Sequence, residues 1–288
     1  MIEPVDLLVD GFSRYRINLG YDGTDFSGFV KQPGLRTVQA ELLSALEKIF
    51  GKDAGDFGMR VAGRTDAGVH AEIQVCHIDL SASQLTRIGR NKDIAGRLNS
   101  MLPMDVRVYS FELAPEGFDA RHSASFRRYR YRIADSKSHF TPLQSRYLLQ
   151  LKFELSVSPM KRAAKVFIGL HDFAAFCKPR EGATTIRNLK RLSVTRNPEG
   201  IIEIELEADA FCHNMVRSMV GALVAVGSGK AEVSDVAARL QSASRAGSYK
   251  VVGPEGLALI EVGYPKDSLL AAQAKKARNT RSAAEIRV

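Results

Sequence analysis

Asp66 is the residue whose surroundings point most directly to chemistry. It lies in the run AGRTDAGVHA, where Gly63 and Gly68 bracket it between two strand-like segments. Glycine permits tight or left-handed turns, and such turns present neighbouring side chains to a cleft. An aspartate with an ordinary pKa of about 3.9 is ionised at neutral pH and can act as a nucleophile. The alternative is a structural turn in which the carboxylate only accepts hydrogen bonds from backbone amides.

Arg217 and Tyr129 are further candidates because of their neighbours. Arg217 lies in the apolar run MVRSMVGAL, and a charge buried there requires a partner of opposite sign. Its alternative is a packed stem with the guanidinium in water. Tyr129 lies in FRRYRYRI, where strand alternation places Tyr129 and Tyr131 on one face and the arginines between them on the other. Two core tyrosines are the alternative on this strand.

A dense group of arginines precedes and overlaps the same strand. The group comprises Arg121, Arg127, Arg128, Arg130 and Arg132. Together with the formal net charge of +9, it favours a polyanionic partner, because Lys and Arg neutralise phosphates and release counterions. We therefore expect an RNA-facing track, with a solvated charged face as the alternative.

No metal and no cofactor is predicted for this chain. His70 and His213 could be combined with Asp66, but no three-ligand zinc spacing supports a site, and structural hydrogen bonding of the histidines is favoured. The sequence also has no dinucleotide fingerprint and no P-loop. Three widely spaced cysteines indicate free thiols, and neither a signal peptide nor an apolar stretch of membrane-spanning length is present. We therefore expect a cytoplasmic protein.

The apolar pattern of the first half predicts the element order β-α-β-β-α-β. Thr37 is the predicted N-cap of the first helix and Gly51 its end. The second helix carries Ile94, Leu98 and Met101 at helical spacing. The predicted strands cover residues 15–19, 58–62, 73–80 and 106–111.

The pattern of the second half predicts the same order of elements, although its amino-acid sequence does not repeat that of the first half. Ser158 is the predicted N-cap of its first helix, with Pro159 in the first helical position and Gly169 closing the helix. An apolar helix is predicted from about residue 211 to 226, and a short extra helix over residues 234–240. The predicted strands cover residues 128–133, 189–195, 201–207 and 257–262, with a hairpin turn at 197–200.

This repetition predicts an α+β fold with two related ferredoxin-like (βαββαβ) halves. Such halves can place their sheets side by side and leave a catalytic cleft between them, which suits a long, charged ligand. We expect an N-terminal half at residues 1–118 that carries the Asp66 loop, a C-terminal half at 119–265, and a basic segment at 266–288. That last segment is either a helix or a mobile tail.

The run GRTDAGVHA resembles the catalytic motif of the bacterial tRNA pseudouridine synthase A family, in which the aspartate is the nucleophile. The resemblance extends over roughly residues 15–265. Phe29 departs from it, since the family often has Trp after the glycine at this position. The other matching segments are YDGTDFSG (21–28), LPMDV (102–106), ARHSASFRRYRYRI (120–133), HDFAAF (171–176), FCHNMVRSMVGAL (211–223) and PEGLALIEVGYP (254–265).

This resemblance implies an isomerase that converts uridine to pseudouridine in the anticodon stem-loop of tRNA, in the class of positions 38, 39 and 40. It implies that Asp66 is the nucleophile, that Arg217 pairs with it, and that Tyr129 stacks on the target uracil. Arg64 would hold the flipped nucleotide, by stacking or through phosphate contact alone. The family forms homodimers that share one tRNA, so we expect a homodimer.

Two other functions remain open at this point. A tandem RNA-binding module without catalysis fits the basic charge and the repeated halves. It lacks a Gly-aromatic RNA-binding signature, however, and does not explain Arg217 in an apolar run. A carboxylate-based hydrolase would require a second catalytic acid at a suitable spacing, and none stands out.

Overall fold

A computed structural model describes residues 11–51, 55–87, 93–178, 184–244, 249–279 and 281–286. The fold is mixed α/β, with antiparallel strand pairing and several helices. The chain divides into two compact units. Unit 1 comprises Met1–Ser125 and Glu261–Arg278, and unit 2 comprises Phe126–Ile260 and Asn279–Val288.

Unit 1 carries the sheet that holds the Asp66 loop. The strand order is β4-β1-β3, all antiparallel, and β2 also pairs with β3. The extra helix α2 was not predicted. The elements are β1 (Phe12–Tyr21), α1 (Val38–Phe50), β2 (Arg60–Val61), β3 (His70–Ser81), α2 (Ala82–Thr86), α3 (Ile94–Asn99) and β4 (Val106–Leu113).

Helix α1 forms where its caps and apolar stripe predict it. The Thr37 hydroxyl accepts from the Ala40 amide at 3.3 Å, which satisfies one of the amides left without a partner in the first turn. At the other end Gly51 has a φ of 93°, a conformation that side chains rarely adopt. The buried stripe ends in Phe50, whose ring stacks on Phe111 of β4 at a centroid distance of 6.0 Å.

Unit 2 has the strand order β10-β5-β9-β8-β7, and β6 pairs in parallel with β5. The predicted hairpin turn is confirmed, because Gly200 donates to the Asn197 carbonyl at 2.9 Å. Strands β6 and β7 were not predicted. The elements are β5 (Phe126–Ala134), β6 (Leu149–Gln150), α4 (Val157–Val166), β7 (Gly169–Asp172), β8 (Ile186–Arg196), β9 (Ile202–Ala208), α5 (Met215–Gly227), α6 (Val233–Ser242) and β10 (Leu257–Gly263).

The predicted start of α4 is wrong by two residues. Ser156, not Ser158, occupies the N-cap position, and Ser158 and Pro159 lie within the first turn. The Ser156 amide donates to the carbonyl of Gly227 in α5 at 2.9 Å, so a tertiary hydrogen bond fixes where this helix begins. Gly169 does not close α4 but begins β7.

The C-terminal segment contains a helix, one of its two predicted alternatives. Helix α7 (Leu270–Arg278) belongs to unit 1, where Leu270 and Ala274 are buried. The Ser123 hydroxyl donates to the Leu270 carbonyl at 3.1 Å. Within the described ranges, no helix is long and apolar enough to cross a membrane.

Candidate functional site

Asp66 lies in a loop of unit 1 that joins β2 to β3. In the Asp66 loop (residues 63–68), Thr65 is buried, Asp66 is half-buried and Arg64 is exposed. The Val69 amide donates to the Asp66 carbonyl at 3.2 Å and closes a turn in which Gly68 has a φ of 77°. The left-handed glycine lets the chain reverse immediately after the aspartate.

Hydrogen bonds from the end of β1 hold the Asp66 loop in place. The Tyr21 hydroxyl is 2.7 Å from the Thr65 hydroxyl, and Gln74 donates to Tyr21 at 3.3 Å and to the Gly63 carbonyl at 2.8 Å. Burial raises the pKa of Tyr21 to about 12, so its phenol stays neutral. The Tyr21 hydroxyl thus links β1 to Thr65, the residue before Asp66.

The segment after Tyr21 approaches the same loop through its backbone. Phe29 donates to the Thr65 carbonyl at 3.1 Å, and Gly68 donates to the Phe26 carbonyl at 3.2 Å. Gly28 has a φ of 97°, and a Cβ there would lie 2.9 Å from the Thr65 carbonyl oxygen. Only glycine fits this approach. The segment thus supports the Asp66 loop, and Phe29 is buried in the core.

His70 takes the predicted structural role. Its Nδ1 accepts from the Gly23 amide at 3.0 Å and also lies 3.1 Å from Oδ1 of Asp22. His213, by contrast, has an exposed side chain, while its carbonyl accepts from Lys178 at 2.9 Å.

In unit 2, the two tyrosines of β5 occupy the buried face of the strand. Tyr129 is 7% exposed and meets the Phe211 ring edge-on at a centroid distance of 5.1 Å. Tyr131 is fully buried and donates to the Gly253 carbonyl at 2.7 Å. Tyr131 is thus a core residue, which was the predicted alternative for one of the two.

Arg217 is half-buried on α5, and its backbone and side chain both contact the segment at residues 250–253 (the Lys250 segment). Its Nε donates to the Val252 carbonyl at 2.7 Å, and the Val252 amide is 3.4 Å from the Arg217 carbonyl. Burial raises the pKa of the Tyr131 phenol, and the nearby negative charge of Glu255 raises it further. The nearby positive charge of Arg217 opposes that shift. Arg217 is thus oriented by the Lys250 segment.

Gly221, one turn after Arg217, permits the close packing of this segment. A Cβ at Gly221 would overlap the Lys250 carbonyl oxygen. The predicted beginning of α5 near residue 211 is wrong, because Asn214 is in the left-handed region with a φ of 65° and the helix begins at Met215. Phe211 is therefore free of helical geometry and packs on Tyr129 instead.

The arginines of β5 do not share one face. Arg127 is buried on the tyrosine face and donates to the Asp209 carbonyl at 2.8 Å. Arg128 points the other way and pairs with Glu207, its register partner on β9, at 2.7 Å. A single RNA-facing track through both residues is therefore excluded by the strand geometry. Arg130 pairs with Glu205 in the same way, and Arg132 with Glu203.

Arg121 lies in unit 1, in the turn that follows Asp119, and its side chain is exposed. Its amide donates to Oδ1 of Asp119 at 2.9 Å. Among the predicted site residues, the structure therefore brings Arg64 and Asp66 into one loop of unit 1 and places Arg121 in another loop of that unit. It places Tyr129 and Arg217 in unit 2.

Sequence reasoning missed the residues that hold the site residues in place. Gln74 donates to the Gly63 carbonyl in the Asp66 loop, and Gly221 allows the Lys250 segment to contact Arg217. One signal was present. A glycine inside an apolar helix usually marks close packing, and Gly221 stands in such a helix.

Comparison with known proteins gives consistent matches. The chain is 48% identical over 278 residues to tRNA pseudouridine synthase A of Streptomyces avermitilis, covering 96% of this chain and 97% of the relative. It is 45% identical over 273 residues to the protein of the same name from Streptomyces griseus, covering 94% and 95%. For the Leifsonia xyli protein of that name, identity is 44% over 287 residues, covering 96% and 100%.

A family model described as tRNA pseudouridine synthase matches residues 163–265. Among solved structures, one of an H/ACA RNP bound to a substrate RNA containing 2'-deoxyuridine matches with a TM-score of 0.36 and 11% identity, over 74% of this chain and 44% of that chain. A score this low supports no conclusion about the fold.

The matches to the family model and to the relatives define an enzyme of the pseudouridine synthase class, which is a class of isomerases. Within that class, the chain belongs to the tRNA pseudouridine synthase A family. The resemblance noted in the sequence is thereby confirmed. The binding module without catalysis and the carboxylate-based hydrolase are set aside.

Proposed function

We propose that this enzyme converts uridine to pseudouridine in the anticodon stem-loop of tRNA, at positions 38, 39 and 40, with Asp66 as the nucleophile. The observation that carries the proposal is the Asp66 loop. Its conformation is fixed by hydrogen bonds from Tyr21, Gln74 and Phe29, and such fixation is what a preorganised nucleophile requires. Family membership supports the substrate.

Arg217 is proposed as the ion-pair partner that orients Asp66. The bond from its Nε to Val252 fixes the guanidinium plane, which favours a directed contact with a carboxylate. The proposal requires Asp66 of unit 1 and Arg217 of unit 2 to act in one site, in the predicted cleft between two ferredoxin-like halves. The antiparallel orders β4-β1-β3-β2 and β10-β5-β9-β8 support the ferredoxin-like interpretation of each unit.

Tyr129 is proposed to stack on the target uracil, and Arg64 to hold the flipped nucleotide. The edge-on contact with Phe211 fixes the Tyr129 ring, and the exposure of Arg64 leaves its planar cation accessible to RNA. Among the basic residues, we propose that Arg121 contacts RNA directly. Arg127 is buried, so its contribution would be made through the backbone of Asp209 that it supports.

Arg128 forms an ion pair with Glu207, which offsets its positive charge. Its proposed contribution to RNA affinity is therefore smaller than that of Arg121. We also propose that the enzyme is a cytoplasmic homodimer that uses neither a metal nor a cofactor. The predicted halves at 1–118 and 119–265 and the predicted basic segment at 266–288 differ from the two units at their bounds. Residues 119–125 and 261–278 belong to unit 1, while Tyr129 and Arg217 belong to unit 2.

Release of tritium from C5 of uridine in unmodified tRNA tests the reaction, because the C5 proton leaves when the new carbon–carbon bond forms. Wild type should release label in a single turnover, and Asp66→Asn should lower the rate by roughly 10³-fold or more, since the amide is not a nucleophile. Glu72→Gln removes an exposed carboxylate of the same unit and should change nothing. Full turnover by Asp66→Asn would show that Asp66 is not the nucleophile.

The same tritium assay tests which tRNA positions are modified and whether Asp66 and Arg217 act as an ion pair. A tRNA with cytidine at positions 38, 39 and 40 should release no label, and release from it would contradict the proposed specificity. Arg217→Ala should lower the rate by about 10²-fold, equivalent to about 3 kcal/mol, with little loss of tRNA affinity. If the effects of Asp66→Asn and Arg217→Ala simply add in the double variant, the two residues do not act as a pair.

A further inference from the structure

The turn at residues 119–123 (the Asp119 turn) is fully determined by hydrogen bonds within unit 1. Each of its five amides has an acceptor at 2.9 Å. Such complete pairing leaves the backbone one conformation. The acceptors are the Ser123 hydroxyl for Asp119, Nδ1 of His77 for Ala120, Oδ1 of Asp119 for both Arg121 and His122, and the Asp119 carbonyl for Ser123.

The conformation of the Asp119 turn therefore depends on hydrogen bonds to two buried groups, His77 and Asp119. Burial lowers the pKa of His77 to about 4, so the ring is neutral at neutral pH, as its role of acceptor requires. Burial alone would raise the pKa of Asp119, but the hydrogen bond from the His122 amide and nearby histidine charge lower it to about 2. Asp119 is therefore ionised.

The second oxygen of Asp119 faces arginines that come from distant parts of the chain. Oδ2 lies 3.9 Å from Nη1 of Arg60 in β2 and 3.8 Å from Nη2 of Arg278 at the end of α7. Both side chains are 58% exposed, and the exposed side chain of Arg121 leaves the same turn. Two arginines thus approach the same oxygen of Asp119, and a third arginine leaves the turn that Asp119 organises.

This arrangement is not explained by stability. Ion pairs that are long and more than half exposed contribute little to folding. The neighbouring Arg14 shows what a structural pair looks like here, since it binds Asp79 through two hydrogen bonds of 2.7 and 2.8 Å. At Asp119, one carboxylate oxygen faces two guanidinium groups, those of Arg60 and Arg278. Guanidinium groups so placed can bind phosphate oxygens in pairs, which suits a nucleic-acid backbone.

We propose that Arg60, Arg121 and Arg278 form a phosphate-binding surface for the backbone of the RNA substrate, with His77 and Asp119 as positioning residues. The proposal rests on the proposed function, and it adds Arg60 and Arg278 to the predicted contacts. It also assigns a role to α7, whose last residue supplies one of the three cations.

The salt dependence of tRNA binding tests this surface. Each phosphate contact that is lost should reduce the slope of log K against log salt by about 0.7–0.9. Arg60→Gln and Arg278→Gln should each show that reduction and bind tRNA several-fold more weakly at low salt. Lys276→Gln is the control, because it removes a cation from another position of α7. Wild-type slopes for both arginine variants would overturn the proposal.

The positioning role is tested by a matched pair at His77. The amide oxygen of His77→Asn can replace Nδ1 as the acceptor for Ala120, whereas that of His77→Gln reaches the position of Nε2. The Asn variant should keep the tRNA affinity and the salt dependence of wild type. The Gln variant should bind tRNA more weakly and show a shallower salt dependence, to the same extent as Arg121→Gln. Equal behaviour of two folded His77 variants would exclude positioning through Nδ1.

Binding measured on the Asp66→Asn background separates this proposal from the proposed function. If the arginine variants show reduced salt-dependence slopes while wild type releases no tritium from tRNA, the phosphate-binding surface is supported and the proposed reaction is wrong. If wild type releases tritium while the slopes are unchanged, only the surface is wrong. Inorganic phosphate added as a competitor should displace tRNA only at concentrations that act through ionic strength, and stoichiometric displacement would identify a site for free phosphate instead.

Discussion

Gly221→Ala is a change of one methyl group that should impair catalysis without touching a proposed catalytic residue. In the present structure a Cβ at this position would lie 2.0 Å from the Lys250 carbonyl oxygen, whereas real Cβ contacts stay beyond 3.0 Å. The obstacle is backbone, not the end of a flexible side chain. The carbonyl must therefore move by roughly 1 Å, and the Lys250 segment must move with it.

That displacement is large enough to matter for Arg217. Its Nε donates to Val252, two residues along the same segment, at 2.7 Å. A shift of about 1 Å would take this pair beyond hydrogen-bond distance, and misplacement of that size can cost on the order of 10²-fold in rate. Two effects on stability oppose one another. Alanine favours the helix by about 1 kcal/mol, while overpacking costs about 1–3 kcal/mol, so a small net destabilisation is expected.

Single-turnover tritium release from tRNA measures the effect on rate, and thermal unfolding measures the effect on stability. Gly227→Ala is the matched control on the same helix. Its new Cβ would meet Met160 Sδ at 2.8 Å, and this flexible side chain can move aside. The control should keep its rate. If Gly221→Ala also kept the wild-type rate, the Lys250 segment would not position Arg217, and if both variants lost activity equally, general packing of α5 would be the cause.

Two further predictions concern unit 1. Since the pKa of His77 is lowered to about 4 from its ordinary 6.5, the neutral ring stabilises the fold fully above pH 6.5 and less as pH falls toward 4. The loss is on the order of 3 kcal/mol. Denaturant unfolding at several pH values should show this loss for wild type and not for His77→Asn, and parallel curves would contradict it. Tyr21→Phe, which removes the hydroxyl that binds Thr65 at 2.7 Å, should lower the rate of tritium release about tenfold with unchanged tRNA affinity. A variant that loses affinity instead would show that Tyr21 serves RNA binding.

Local signals predicted the local structure well. Thr37 and Gly51 define α1 as expected, because capping depends on residues within the same turn. The alternation in β5 correctly separated Tyr129 from Arg128, since the period of a strand is a local property. These same rules could not choose between Ser156 and Ser158 as the start of α4. Both serines are acceptable caps, and the deciding hydrogen bond goes to Gly227, in another helix.

The pairing of Arg128 with Glu207 shows why charge patterns mislead about binding. The run of alternating arginines predicts an RNA-facing track as long as the neighbouring strand is unknown. Strand β9 alternates glutamates in register with them, so each arginine finds a carboxylate across the ladder. Register is set by the whole sheet and its turns, and it cannot be derived from either strand alone. Arg121 lies outside the strand with an exposed side chain, and it is therefore the candidate of this group that is proposed to contact RNA directly.

Arg60, Arg121 and Arg278 illustrate the same limit from the opposite side. No spacing rule connects them, and the sequence alone left open whether the C-terminal segment that contains Arg278 is a helix or a mobile tail. What unites them is Asp119, which is buried by the fold and ionised because the turn supplies its hydrogen bonds. Asp119 holds the guanidinium groups of Arg60 and Arg278 near one oxygen and, through its turn, determines where the side chain of Arg121 leaves the chain. A phosphate backbone is a ligand that suits such a group of cations.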